Sequence, residues 1–149
     1  MTSTFAFFKR FIPCWVVTYC LASILHTQMV LTGLVQVDVA IPVADWVSMT
    51  AYDLWGLLPA YGSATLGAML IAMLIVSWLV QHQSRMLTLV LCMCAGALAM
   101  LVMLLAMQPI MQVTLIAGAR SSVGMALQCL AGLLGGLVYA MLWHHQRHE

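Results

Sequence analysis

The stretch MLTLVLCMCAGALAMLVMLLAM, Met86 to Met107, carries no charged residue. An apolar helix needs roughly 20 residues to cross a hydrocarbon core about 30 Å thick. A helix apolar on every face has no side to turn to water, so this segment predicts a membrane span. Working outward, the polar link Gln81 to Arg85 separates it from a second apolar run, Ala60 to Val80. A link that tight makes the two helices antiparallel neighbours. Two further runs, Phe11 to Val35 and about 119 to 143, bring the predicted spans to four. The expected fold is all-α: one transmembrane domain over residues 1–149, a four-helix bundle.

Composition agrees with this pattern. Of 149 residues, 64% are hydrophobic and 6% charged, against about a quarter charged in a soluble domain. A net charge of +1 leaves no basic field for nucleic acid. The five cysteines all fall in apolar segments, none in a C-x-x-C pair, which argues against a disulfide framework. Lys9 and Arg10 before an apolar run imitate a signal peptide, but no small-x-small cleavage site follows, so the run reads as a retained first span.

The segment Asp38 to Pro59 holds three of the four acidic residues and is too polar to span. Asp45 is an expected N-cap for a short interfacial helix ending near Gly56, with Trp46, Met49 and Trp55 in the interface. Gln108 to Gly118, with Pro109 and Gly118, is the expected break between the last two helices. Lys9, Arg10, Arg85 and Arg147 flank one side of the spans and only Arg120 the other, which predicts cytoplasmic termini. The aromatic residues Trp15, Trp78 and Trp143 would mark the inner interface, and Trp46, Trp55 and Tyr61 the outer one.

Polar groups within a span are costly and are candidates for function. Here they are His26, Gln28, Gln128 and, at the outer boundary, Arg120. His26 and Gln128 fall at similar depth, and a bond between them would satisfy both. That pairing is the structural reading. The functional reading is a site for a quinone head group, a lipid or an ion built from His26, Gln28, Arg120 and Gln128.

Arg120, Gly124, Gln128, Gly132, Gly136 and Ala140 recur every four residues along the last helix, as do Ala60, Ala64, Ala68 and Ala72 along the second. Small residues on one face let another backbone approach closely, within the bundle or between copies. Met100, Met103, Met107 and Met111 line one face of the third helix and its exit, with Cys92 and Cys94 on the same helix. Soft sulfur ligands suit Cu(I), and His144, His145 and His148 could pass a metal on. Met103 and Met107 with Gly132 and Gly136 are similar to the M-x-x-x-M and G-x-x-x-G of eukaryotic copper transporters, a family with three spans. Methionine is also an ordinary filler of apolar interfaces.

Several mechanisms lack their residues. A bis-His haem site needs a second intramembrane histidine, a disulfide-generating reductase needs cysteine pairs near the surface, and a proton-coupled exporter would bury a carboxylate, whereas Asp38, Asp45 and Asp53 lie outside the spans.

The stretches HTQMVLTGL (26–34), MTAYDLWGLLPAYG (49–62) and LIAGARSSVGMALQCLAGLLGG (115–136) resemble a pattern found in small uncharacterised four-span inner-membrane proteins of proteobacteria. The resemblance implies a bacterial inner-membrane location and no particular activity. It directs attention to His26, Asp53, Tyr61, Arg120 and Gln128. The leading expectation is a non-enzymatic membrane protein acting through helix packing, as a homo-oligomer or an accessory subunit. The alternatives are a small transporter or ligand-binding protein using the outer polar cluster, and copper handling. No cofactor is named by the sequence.

Overall fold

The computed structural model describes residues 2–36, 40–111 and 122–145, with side chains over 4–36, 40–107 and 122–145. Among these, α1 spans Thr2–Val35, α2 Val43–Gly56, α3 Ser63–Leu79, α4 Arg85–Met111 and α5 Ser122–His145, and a π-helical turn, Leu58–Gly62, leads directly into α3. The chain is all-α, and four helical stretches are long and apolar enough to cross a membrane: Thr4–Val35, Leu58–Leu79, Arg85–Met107 and Ser122–His145. Arg120, Asp38, Arg147, His148 and the side chain of Met111 lie outside the described residues.

Element limits differ from the sequence expectation in three places. Helix α1 begins upstream of Phe11, so Lys9 and Arg10 sit inside it rather than before it. Aromatic packing supports this extension: Phe7 stacks on Phe11 at 5.7 Å and meets Tyr139 edge-on at 6.1 Å. Helix α4 continues through Pro109, where a break was expected; spanning helices tolerate proline because neighbours re-satisfy the freed backbone. The cap of α2 is Pro42 and not Asp45. Pro42 is extended, with ψ 147°, and its carbonyl accepts from the N–H groups of Asp45 and Trp46, leaving Asp45 in the first turn.

Helix α5 is the centre of the bundle, packed most extensively on α4 and then on α1. Its buried positions are Gly124, Gln128, Ala131, Gly132, Gly135, Gly136, Tyr139 and Ala140. Glycine sets the spacing there. A methyl group on Gly132 would run into the carbonyl of Gly96, one on Gly136 into the carbonyl of Cys92, and one on Gly135 into the Thr18 hydroxyl. Bare backbones therefore touch where α5 meets α4, and Gly135 leaves room for the Thr18 side chain of α1, the close approach that drives helix association where lipid is as apolar as leucine. On α3 the fully buried line is Thr65, Met69, Met73 and Val76, while Ala64 and Ala68 pack at the edge of the core. Met69, Met73 and Met100 are wholly enclosed, the first two in one apolar cluster and Met100 in a second.

Candidate functional site

The polar residues expected at one depth separate into two groups. Gln128, 1% exposed, sits in the core on α5. Its Oε1 accepts from the Tyr61 hydroxyl at 2.7 Å and its Nε2 donates to the Ala22 carbonyl at 3.1 Å. Both ends of the amide are thus used without His26, one helical turn beyond Ala22 on α1, so the expected His26–Gln128 bond is replaced by these two. Tyr61, expected in the outer interface, is buried instead. Trp15, expected at the inner interface, turns inward and donates from Nε1 to the Gly62 carbonyl at 3.1 Å.

The second group lies between α1 and α2. Thr27 donates to the Asp53 carboxylate at 2.8 Å, and Trp46 Nε1 donates to Gln28 Oε1 at 2.7 Å. The Gln28 amide reaches the Thr50 hydroxyl at 3.5 Å. Lower on α1, the Tyr19 hydroxyl donates to the Leu54 carbonyl at 2.6 Å. These contacts hold α2 against α1, so the short helix is bound to the bundle.

Their spacing explains the docking. Trp46, Thr50 and Asp53 are four and three residues apart, hence on one helix face. Among the apolar residues of α2, Val43, Val47 and Trp55 are exposed. Asp45 and Ser48 are exposed beside them, so the outward side of α2 is mixed, as suits a helix in the membrane interface. Asp53, outside every span in sequence, is thereby brought against a spanning helix at Thr27.

His26 is 7% exposed, and its Nδ1 is buried with no hydrogen-bond partner. A buried imidazole nitrogen can donate to a carbonyl or, as the unprotonated nitrogen, accept from a hydroxyl. Of these residues His26 and Gln28 stand out in the sequence as polar groups within a span, and Asp53 through the resemblance. Thr27 and Thr50 carry no signal of their own, and Trp46 reads as an interface residue.

The sulfur-bearing residues are divided between core and surface: Cys92 is buried and Cys94 exposed. Met100 and Met103 are buried, Met107 is half-buried, and Thr65 donates to the Met103 sulfur at 3.7 Å. Among the described residues, no group of three or more His, Cys, Asp or Glu side chains is placed to hold a metal. His144 and His145 line a shallow hollow with Arg85 and Met141.

Comparison with family models, curated proteins and solved structures finds no match for this chain.

Proposed function

We propose that the protein is a membrane-embedded binding protein that receives a small polar head group, of the quinone or lipid class, against His26 and Asp53. The observation that carries this reading is His26 Nδ1, buried on α1 and without a hydrogen-bond partner, next in sequence to Thr27, which holds Asp53. Leaving such a group unsatisfied costs about 1–3 kcal/mol, which a hydrogen-bonding ligand would recover. Thr27 fixes the Asp53 carboxylate against α1. The Tyr61–Gln128–Ala22 group braces the helices behind it.

Assembly through the α5 glycine face has less support, because Gly132, Gly135 and Gly136 are occupied by α1 and α4 of the same chain. An accessory-subunit role would use the outward face of α2, where Val43, Val47 and Trp55 are exposed. In either case the resemblance points to a bacterial inner membrane, and the charge pattern favours cytoplasmic termini.

The test is purification of the full chain in native lipid, with extraction and mass-spectrometric identification of bound small molecules, and titration with a short-chain quinone. Wild type should carry a ligand with a polar head group, and His26→Leu should lose it while helix content is kept. Retention of the same molecules by His26→Leu would refute the proposal.

A further inference from the structure

At the opposite end of the bundle, where α1 begins and α3 ends, the two helices diverge around an open groove of about 730 Å³. Its walls are of two kinds. Phe7 and Phe8 of α1 with Leu70 and Leu74 of α3 give it apolar surface, and Arg10, Ser77 and His82 give it polar groups. Trp78, 76% exposed, also lines it. The Arg10 guanidinium rests on the Trp143 ring, 4.4 Å from its centroid. Stacking by the face keeps the N–H donors of the fork in one plane, the geometry that suits phosphate oxygens.

The charge around the groove is of one sign among the described residues. Among the described residues the acidic groups, Asp45 and Asp53, are both on α2 at the far end, while Lys9, Arg10 and Arg85 are at this end. A zwitterionic lipid would bring an ammonium group toward these cations, and an anionic one would not. We infer that the groove between α1 and α3 is a binding site for an anionic phospholipid, with one acyl chain between Phe7 and Leu74 and the phosphate at Arg10. This site is separate from the His26 cluster and stands without it.

Native mass spectrometry of the full chain released from nanodiscs of equal phosphatidylglycerol and phosphatidylcholine tests the inference. Wild type should retain phosphatidylglycerol over phosphatidylcholine by about fivefold, the effect of one basic residue at a membrane surface. Arg10→Gln should abolish the preference. Arg85→Gln, a cation at the same end that does not line the groove, should preserve it. Leu74→Trp, filling the apolar part, should lower total retained lipid at unchanged helix content, which also serves if Arg10→Gln fails to fold. Equal retention of the two lipids by wild type, loss of preference in Arg85→Gln, or unchanged retention in Leu74→Trp would overturn the inference.

Discussion

Tyr61 donates its phenolic hydroxyl to Oε1 of Gln128 at 2.7 Å, joining residues 67 positions apart in the chain. The bond ties the π-helical turn ahead of α3 to the middle helix of the bundle, and the other end of the same amide reaches α1 at Ala22. One glutamine thus links three helices in a region with little water to compete.

Tyr61→Phe should therefore leave Gln128 Oε1 without a donor and cost about 1 kcal/mol, in the range found for hydrogen bonds between membrane helices. Gln128→Leu removes both bonds and should cost more. The double variant should lose less than the sum of the two, because each single variant already removes the bond that the two residues share. Unfolding in mixed detergent micelles provides the measurement; additive losses would mean that the two residues act independently.

The glycines divide into two kinds with opposite expected responses. Gly132→Ala sets a methyl group against the Gly96 carbonyl, a backbone atom that cannot rotate away, and should cost about 1–3 kcal/mol. Gly67 has nothing within 4 Å of the position its Cβ would take. Gly67→Ala should be neutral or stabilise by up to about 1 kcal/mol through helix propensity alone. Unfolding of both variants in the same detergent system checks the contrast.

The spans were legible because stretches such as Met86 to Met107 carry their signal in every residue. Docking of α2 was less so. Asp45 and Asp53 make its segment read as polar and interfacial, and only the positions of Trp46, Thr50 and Asp53 on one helix face hint at a surface turned toward α1. For Gln128, sequence gives the depth and not the direction around the helix. His26 and Ala22 are a turn apart on α1, so depth alone does not decide which of them the amide meets. Tyr61 lies at the edge of a span, where tyrosine ordinarily marks an interface, and its burial follows from the π-helical turn that places it on the core side.

If the Thr27–Asp53 bond holds α2 to the bundle, Thr27→Val should loosen α2 more than any neighbouring helix. A hydrogen bond to a charged group is worth about 1.5–3 kcal/mol. Amide exchange in residues 43–56 should accordingly rise by about tenfold or more, with α4 and α5 unchanged. Asp53→Asn keeps an acceptor for Thr27 and should have a smaller effect. Hydrogen exchange read by mass spectrometry on the protein in nanodiscs distinguishes these outcomes, and unchanged exchange in Thr27→Val would assign the docking to Tyr19 and Gln28.

Orientation in the membrane is set by positive charge near the ends of spans, and in this chain the balance is small enough to invert. Lys9, Arg10 and Arg85 lie at the end opposite α2. With the native cysteines replaced, Ser84→Cys in the link before α4 should be shielded from a membrane-impermeant maleimide added to intact spheroplasts, and should react after lysis. Ser48→Cys, exposed on α2, should react before lysis. Changing Lys9, Arg10 and Arg85 together to Gln removes the cations on that side and should produce a population in which the two labelling patterns exchange. Reaction of Ser84→Cys in intact cells of the otherwise unchanged protein would reverse the proposed topology, and would place the His26 cluster toward the cytoplasm.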